Sequence, residues 1–371
     1  MTTTIILALA LVSIGLSLVA WRSRDTVLWQ FVLPDIPKSD TPPQFEQVFE
    51  YIAPTGQAHS PAILVEEGGF SILWFEGSAE AQADVDIHAA RFANTQQGWQ
   101  SSAPAALVSR QKLSQVFDPE QLVVTLGNTV ENHAVPQGIF ATVVSVGGWA
   151  MASVADVRLG HGAAQYARKL NLSPFLNRSY LVKSPMVEMA DGSSALPAYF
   201  EMGSTYGAFV RLASDGRVCD QRRMAGHGSK PIQPMVVPLD ATRAVAFLRD
   251  FDPSGQLLIS HTSDGGQNWS VAAPSGLPNP SAPVAALPVG GGRILMAMND
   301  DPGGAHSLSL AVSSDEGVSW QVIHTLEQNA GDARYPMLRR LSDGTVVLTY
   351  SCDTKRGVRA YVFNQAWIDA Q

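Results

Sequence analysis

One eight-residue pattern occurs twice in the C-terminal half of the chain, and it constrains the fold more than any other feature. Residues 262–269 and 313–320 both read [S/T]-x-D-x-G-x-x-W. Their aspartates, Asp264 and Asp315, lie 51 residues apart, which is close to the length of one four-stranded blade of a β-propeller. The stretch from residue 46 to 367 has room for about six units of this size.

The residue types in this pattern favour a structural role over a catalytic one. An Asp side chain accepts backbone N–H groups within its own turn, and a Gly adopts a conformation that other residues resist. A Trp then packs beneath the loop as an apolar plug. We therefore expect fold-stabilising turns formed by Asp264, Gly266, Trp269, Asp315, Gly317 and Trp320.

The rest of the chain after residue 45 reads as short strands joined by tight turns. Apolar runs of four to eight residues alternate with Asp-Gly pairs, which suit two-residue hairpins. Over about 320 residues such hairpins predict a large barrel, paired sandwiches or a propeller, and the repeat favours the propeller. The one short helix expected in this region lies around residues 163–169. The apolar runs include residues 70–74, 139–146, 243–248, 293–298 and 345–350.

The N-terminus carries an uncharged apolar stretch, residues 4–21, which is about the shortest run that spans a bilayer as a helix. A cleaved signal peptide is the alternative, but no charged residue precedes the stretch. We predict an anchor over residues 1–21, a proline-rich linker over 22–45 and one domain over 46–371. Arg22 and Arg24 favour a cytoplasmic domain, and Asp25 offsets them. The sequence leaves the membrane side open; our prediction is a periplasmic or otherwise extracytoplasmic domain.

Composition excludes several classes of function. Lys and Arg number 25 against 33 Asp and Glu, a net charge of −8, whereas a general nucleic-acid-binding protein is basic. The only two cysteines, Cys219 and Cys352, form no disulfide framework or Cys-rich metal site, and we expect two unpaired buried thiols. No phosphate-binding loop or zinc-binding spacing occurs. We therefore predict no metal, no cofactor and no nucleic-acid partner.

The two octapeptides resemble the Asp-box of the sialidase (neuraminidase) superfamily. The resemblance extends over nearly all of the chain after the anchor, and it is closest to bacterial exo-sialidase-like BNR-repeat proteins. It implies a six-bladed β-propeller with the site in its central funnel, and a glycoside hydrolase of the exo-α-sialidase type. The other matching segments, in chain order, are residues 59–61, 74–77, 84–87, 126–128, 147–149, 173–177, 196–201, 233–234, 277–280, 335–336 and 349–350.

The resemblance also implies catalytic residues. Sialidases use a Tyr as nucleophile, and a neighbouring Glu takes its proton. Glu201 stands where the family keeps a Glu, and Tyr199, two residues away on the same strand face, is one candidate for the Tyr. Tyr335 is the preferred candidate; it precedes Pro336, which predicts an extended backbone, and Tyr350 is a rival.

The acid that protonates the leaving oxygen is expected in the first blade. Asp84 lies in a turn between two predicted strands, in the segment EGSAEAQADVDI, and is our first choice for this role. Glu80 and Asp86 are its local rivals. Asp86 alternates with Val85 and Ile87, so it should point away from them.

Substrate binding calls for positive charge, because sialidase substrates carry a carboxylate that guanidinium groups bind bidentately. Arg249 follows an apolar strand, and Lys183 stands where relatives commonly place a basic residue. Arg356 or Arg359 would supply a further charge. The polar candidates for reading the sugar are Gln233, Asn279 and His59.

One departure from the family leaves the activity open. Where relatives carry an Arg after Asn299, this chain has Ala305. Our first hypothesis is a membrane-anchored sialidase-like exo-glycosidase acting on acidic sugars or a surface polysaccharide. The alternatives are a non-catalytic glycan-binding propeller assisting polysaccharide assembly, and a scaffold for protein partners. Converging charges in the funnel would favour the first two over the third.

Overall fold

The computed structural model describes residues 2–22, 27–37, 41–160, 162–173, 177–252 and 254–371. Arg24, Asp25 and part of the family-like segment 173–177 lie outside these ranges. An apolar helix, α1 (Thr2–Arg22), precedes the sheets. A short helix, α2 (Arg110–Val116), and a 3-10 turn (Gly148–Met151) lie between strands, and a second short helix, α3 (Gln365–Asp369), follows the last strand.

The strands form six blades. Blade 6 combines the first strand of the domain, β1 (Phe45–Ile52), with the last three, β24 (Arg334–Arg340), β25 (Val346–Cys352) and β26 (Gly357–Phe363). Its strands lie in the order β1-β26-β25-β24, with β24 innermost. Blade 1 comprises β2 (Gln57–Glu66), β3 (Gly69–Gly77), β4 (Asp86–Thr95), β5 (Gly98–Ser101) and β6 (Ala105–Val108). Blade 2 comprises β7 (Thr125–Asn132), β8 (Gly138–Val144), β9 (Ala152–Gly160) and β10 (Ala163–Lys169). Blade 3 comprises β11 (Tyr180–Val182), β12 (Val187–Glu188), β13 (Ser194–Phe200), β14 (Tyr206–Leu212) and β15 (Val218–Ala225).

Blade 4 comprises β16 (Pro231–Pro238), β17 (Ala244–Asp250), β18 (Gln256–Thr262) and β19 (Ala273–Pro278). Blade 5 comprises β20 (Ala285–Pro288), β21 (Ile294–Met298), β22 (Ser307–Ser313) and β23 (Gln321–Gln328). Every strand pairing within the blades is antiparallel. First strands of neighbouring blades contact one another around a central axis, and blade 4 joins blade 3 through contacts of β16 with β13 and β14. The predicted six-bladed propeller is confirmed.

The predicted helix around residues 163–169 is wrong. These residues form β10, which pairs with β9 along the outer edge of blade 2. Ala164 and Ala167 are both buried although they are three residues apart, because the register shifts between Ala164 and Tyr166. A bulge thus breaks the two-residue alternation of a strand and imitates a helical spacing in the sequence.

The N-terminal strand closes the ring. β1 pairs with β26, so the last blade combines both ends of the domain. Phe49 on β1 packs edge-on against Phe92 of blade 1, with ring centroids 5.2 Å apart. Arg359 contacts Glu50 of β1 at 2.8 Å and also pairs with Glu327 of blade 5. Aromatic packing and an ion-pair network therefore join the first and last segments.

The two octapeptides form the same turn in blades 4 and 5. In the second, the Asp315 carboxylate accepts hydrogen bonds from the Ser313 hydroxyl and the Ser319 backbone, both at 2.8 Å. Trp320 donates to the Gly317 carbonyl at 3.1 Å and packs edge-on against Phe247 at 5.6 Å. Asp264 and Trp269 make the equivalent bonds in the first, and Trp269 packs on Phe209.

Replacing Trp320 with alanine is expected to lower the free energy of unfolding by about 2 kcal/mol, because a half-buried indole loses its contacts with Phe247. Val318 lies in the same turn but is 77% exposed, so Val318→Ala is the matched control, with an expected change below about 0.5 kcal/mol. Urea unfolding of both variants measures the difference. Equal effects of the two substitutions would contradict the structural role of the indole.

The connections between strands divide the propeller into two faces. Hairpins between first and second strands, and the octapeptide turns between third and fourth strands, share one end. We call this end the Asp-box face; it includes residues 239–243, 262–269, 289–293, 313–320 and 341–345. The opposite end, the funnel face, carries the connections between second and third strands, residues 78–85, 145–151, 201–205, 251–255, 299–306 and 353–356.

Residues 27–37, which we call the strap, run across the Asp-box face. Phe31 is buried and packs edge-on against Phe209, and its backbone N–H donates to the Ala241 carbonyl at 2.8 Å. Before the strap, an 18-residue window of α1 is apolar and long enough to cross a bilayer, a test that a signal sequence also passes.

Candidate functional site

Bulges in the innermost strands shape the funnel. The register shifts near the start of β2, β7, β16 and β24, at His59/Ala62, Leu126/Thr129, Ile232/Met235 and Arg334/Met337. Three bulge residues, Ser60, Gln233 and Tyr335, take left-handed conformations, with φ of +54°, +51° and +56°. Such bulges re-aim side chains, and here they turn them toward the central axis.

The expectation that Pro336 keeps Tyr335 extended is wrong. Its φ of +56° lies in the left-handed region. The restriction before proline acts chiefly against the right-handed helical region. The bulge places one extra residue between Arg334 and Met337, and Tyr335 takes up the left-handed turn there. Tertiary strand pairing on both sides of the bulge therefore overrides the local preference.

A central cavity of about 380 Å³ opens on the funnel face. Blades 1, 2, 3, 4 and 6 supply its lining, and five charged side chains meet there. The charged lining residues are Glu80, Glu201, Arg249, Arg334 and Lys355. The other lining residues are Asn128, Trp149, Leu181, Tyr199, Gln233, Phe251 and Tyr335.

The Tyr335 hydroxyl lies next to two hydrogen-bond donors. The Arg249 guanidinium and the Gln233 amide both approach the Tyr335 hydroxyl oxygen at 3.5 Å. Behind the ring, His59 packs edge-on with centroids 4.6 Å apart, and the Lys183 ammonium lies 5.8 Å from the ring centroid. The phenol oxygen is thus directed into the cavity with positive charge beside it.

Arg249 is held by neutral side chains and not by an ion pair with any described carboxylate. Its Nε donates to the Ser281 hydroxyl at 3.0 Å, and its Nη1 lies 3.4 Å from the Gln233 amide oxygen. An ion pair with the nearby Asp250 or Asp252 is the alternative role for an arginine at this position. Instead, Asp252 pairs with Lys230, and no carboxylate lies within 4 Å of Arg249 in the described part of the chain. Neutral partners orient this guanidinium, so it can take a ligand carboxylate.

Tyr199 near the end of β13 and Glu201 directly after that strand both line the cavity from blade 3. Burial raises the pKa of the Glu201 carboxyl, the charge of Glu80 adds to this rise, and Arg249 opposes it. Tyr199 is fully buried, and burial together with Glu201 raises the pKa of its phenol well above the usual value. The Tyr199 hydroxyl accepts a hydrogen bond from Gln233 at 3.3 Å. Tyr199 therefore orients Gln233, and Glu201 is the more accessible group.

Among the blade 1 carboxylates, only Glu80 lines the central cavity. Its carboxylate accepts from the Lys355 ammonium at 2.6 Å. Asp84 is exposed and accepts from the Ser78 hydroxyl and backbone at 3.0 and 3.1 Å, and these bonds lower its pKa. Asp84 lines a separate cleft on the rim, and Asp86 accepts from the Arg110 backbone at 2.9 Å.

Lys183 and His59 lie behind Tyr335 and do not line the cavity. Lys183 is buried and donates to the Pro336 carbonyl at 2.9 Å, and burial lowers its pKa to about 7. His59 is also buried, and neither ring nitrogen has a hydrogen-bond partner among the described residues. Burial lowers the pKa of His59, as do the charges of Lys355, Arg334 and Lys183, so its imidazole is neutral.

Several predicted site residues lie elsewhere. Asn279 is buried and accepts from the Ala282 backbone at 2.8 Å, which stabilises its own turn. Arg356 is exposed and lies 3.9 Å from Asp353. Tyr350 is buried and donates to Glu327 at 2.7 Å. Ala305 is buried as well.

The structure thus brings together Tyr335, Tyr199, Glu201, Gln233 and Arg249. Sequence reasoning missed Arg334 and Lys355 as lining residues. The sequence did indicate Arg334, because this basic residue directly precedes Tyr335, a predicted site residue. Among the described residues, no group of three His, Cys, Asp or Glu is placed to hold a metal ion.

The sequence matches the BNR repeat-like domain family over residues 68–348. No curated protein matches it. A structure of unknown function from Dyadobacter fermentans is similar with a TM-score of 0.63 at 13% identity, covering 86% of this chain and 99% of that one. The Hadza microbial sialidase Hz136 gives 0.58 at 14% identity, covering 82% of this chain and 65% of that one.

A Trypanosoma rangeli sialidase in complex with the inhibitor DANA is similar with a TM-score of 0.60 at 11% identity, covering 86% of this chain. This chain spans only 56% of that sialidase and 65% of Hz136. Such identities show a shared fold, and the family match covers most of the chain. The protein therefore belongs to the BNR repeat-like domain family and has the six-bladed propeller fold of the sialidases.

Proposed function

We propose that the central funnel is the active site of an exo-glycosidase that removes a terminal acidic sugar from a glycan. The observation that carries this proposal is the position of the Tyr335 phenol, 3.5 Å from Arg249 and in one cavity with Glu201 and Glu80. The solved sialidases supply the fold, and the residues of this cavity supply the chemistry.

In the proposed reaction, the Tyr335 oxygen attacks the anomeric carbon and its proton passes to Glu201. Glu80, once protonated and released from Lys355, gives its proton to the leaving oxygen, so the glycosidic bond breaks and a glycosyl–tyrosine forms. Water then gives a proton to the Glu80 carboxylate and attacks the same carbon. Glu201 returns its proton to the departing phenolate, which restores the phenol and releases the sugar. A neutral phenol approaches an anionic sugar without the repulsion that a carboxylate nucleophile would meet.

The positive lining would bind the sugar carboxylate. Arg249 has no carboxylate partner among the described residues, and Arg334 and Lys355 lie in the same cavity. Arg334 is held by Asp332 at 3.2 Å, and Lys355 by Glu80. Arg249 is therefore the principal carboxylate-binding group, and the other two add to the field.

The test is hydrolysis of aryl glycosides of sialic acids, other nonulosonates, uronic acids and rhamnose by the full chain in detergent. Glu80→Gln and Asp84→Asn form a matched pair, because both remove one carboxylate from the same loop. We expect turnover of an acidic sugar, abolished by Glu80→Gln and retained within about threefold by Asp84→Asn. Loss of activity only in Asp84→Asn would assign the acid to the rim instead.

A second candidate function is glycan binding without cleavage, in support of polysaccharide assembly. The observation that favours it is Ala305, which stands where relatives carry an Arg and supplies no charge. This candidate predicts saturable binding of an acidic oligosaccharide, lost in Arg249→Gln, with no hydrolysis of any aryl glycoside. Isothermal titration calorimetry with the glycan panel separates the two functions.

The pH profile carries a further prediction. Glu201 must be ionised to accept a proton, and burial raises its pKa above the ordinary 4.5. We expect kcat/KM to fall on acidification with a midpoint above pH 4.5. Because Arg249 lowers this pKa, Arg249→Gln should move the midpoint to still higher pH. A midpoint at or below 4.5, or one that Arg249→Gln leaves unchanged, would contradict the role of Glu201.

The location is part of the proposal. We infer that α1 remains attached as a membrane anchor and that the propeller, residues 46–371, lies on the extracytoplasmic side, where surface glycans occur.

A further inference from the structure

The strap binds the Asp-box face at many points. The Leu28 backbone N–H donates to the Asp191 carboxylate at 2.8 Å, and the Trp29 ring lies between the guanidinium groups of Arg211 and Arg222 at 4.9 and 5.1 Å. Phe31 enters the core of blades 3 and 4. These contacts fix where the chain leaves the propeller.

The later part of the strap continues over the same face. Ile36 contacts Gly290 in the first hairpin of blade 5, and Pro37 lies against Gly344 in the first hairpin of blade 6. The strap therefore touches blades 3 to 6, at hairpins of the Asp-box face and at the neighbouring strands β14 and β15. The cavity with Tyr335 opens at the other end of the blades.

The connection from α1 to the strap is short. Four residues separate Arg22, the end of the helix, from Val27, the first residue of the strap. Even fully extended, this connection spans at most about 18 Å. A strand of eight residues such as β16 is about 25 Å long. The funnel face is therefore about 25 Å farther from the end of α1 than the Asp-box face, which the strap crosses.

The Asp-box face itself suits a lipid surface. Leu28 and Leu33 of the strap and Val318 of an octapeptide turn are exposed on it. Its turns carry more acidic than basic side chains: Asp240, Asp264, Asp315, Glu316 and Asp343 against Arg243 and Arg293. Arg243 pairs with Asp240 at 2.6 Å and with Glu316 at 2.8 Å. Such a face fits headgroups without net charge, such as phosphatidylcholine, whereas anionic headgroups would repel it.

We propose that the strap seats the propeller with its Asp-box face on the bilayer surface, so that the funnel opens away from the membrane. This inference rests on the proposed retention of α1 as an anchor. It narrows the proposed substrate class to soluble or polymeric glycans whose ends reach the outer side of the propeller. A sugar on a lipid headgroup in the anchoring leaflet lies on the wrong side of the domain.

The test is lipid proximity, measured by energy transfer from a thiol-linked fluorophore to acceptor-labelled headgroups in phosphatidylcholine vesicles. Val318→Cys labels the Asp-box face and Val146→Cys the funnel face. Both are exposed valines, at 77% and 71%, which makes them a matched pair. The full chain is reconstituted, and labelling of the unsubstituted chain gives the background from Cys219 and Cys352. The intact mass shows whether α1 is present.

We expect several-fold stronger transfer from position 318 than from position 146. In a chain that also carries Trp29→Ala and Phe31→Ala, the strap loses its two aromatic contacts and the difference should shrink. Equal transfer from both positions, stronger transfer from 146, a difference that the strap variant leaves unchanged, or a mature chain without α1 would each overturn the inference. This experiment measures distance to the lipid and not hydrolysis, so its result stays valid even if the protein proves to have no glycosidase activity.

Discussion

Replacement of Tyr335 by phenylalanine is expected to reduce turnover of the acidic aryl glycoside by at least about 1000-fold. The substitution removes the oxygen that would form the bond to the anomeric carbon and keeps the ring that packs on His59. Substrate affinity should change by less than about tenfold, because Arg249 remains in place. Single-turnover kinetics and equilibrium binding measure the two quantities separately.

Tyr199→Phe is the matched control for this prediction. The Tyr199 side chain is buried at the cavity wall, and its hydroxyl accepts one hydrogen bond from Gln233. We expect a loss of less than about tenfold in turnover, because only the orientation of Gln233 is affected. A large loss in Tyr199→Phe with near-normal turnover in Tyr335→Phe would exchange the roles of the two tyrosines.

Replacement of Lys183 by methionine is expected to change how stability depends on pH. Burial lowers the pKa of this ammonium from 10.5 to about 7 in the folded protein. Between those values the unfolded chain binds a proton that the folded chain has released, so the stability of the native protein rises with pH across this window. The whole shift corresponds to at most about 5 kcal/mol.

Lys183→Met removes this titration. We expect the variant to lose most of the native protein's increase in stability between pH 7 and 9.5, measured as the midpoint of urea unfolding. Lys230 is half-exposed and paired with Asp252, so Lys230→Met should leave the increase unchanged. If the stability of Lys183→Met and of the native chain increases equally with pH, the Lys183 ammonium is charged in the folded state. That result would contradict the claim that this buried lysine is neutral above pH 7.

The fold was predictable because two local signals agreed. The octapeptides at Asp264 and Asp315 predicted the turns and the length of the repeat, and the apolar runs predicted the strands. The error at residues 163–169 came from a bulge, which shifts the alternation of Ala164 and Ala167 by one residue. Such a shift depends on pairing with β9, and a sequence alone contains no record of it.

The candidate site was predictable where a residue lies at the end of a strand, as Glu201 and Arg249 do at the ends of β13 and β17. It was less predictable in the loop before β4. Asp84, Glu80 and Asp86 lie within seven residues, and each has a different partner: Asp84 bonds to Ser78, Asp86 to the Arg110 backbone, and Glu80 to Lys355 at the cavity. Those bonds depend on the loop conformation, which propensity and patterning do not specify.

Arg356 illustrates a similar failure. It and Lys355 are adjacent basic residues in the turn after β25, and they point to different places. Lys355 reaches Glu80 across the cavity, whereas Arg356 remains exposed. Adjacent residues in a tight turn diverge with small backbone changes, so charge type alone predicted a basic residue here without choosing between the two.

The central claim is that Tyr335 forms a covalent bond to an acidic sugar in the funnel. The most direct test is to incubate the full chain with fluorinated acidic sugars that trap such an intermediate, and to analyse tryptic peptides by mass spectrometry. Cleavage after Arg334 and Arg339 isolates residues 335–339. The account predicts a sugar adduct on this peptide that is absent in Tyr335→Phe. An adduct on another residue, or hydrolysis of an acidic sugar with no trapped species on Tyr335, would contradict it.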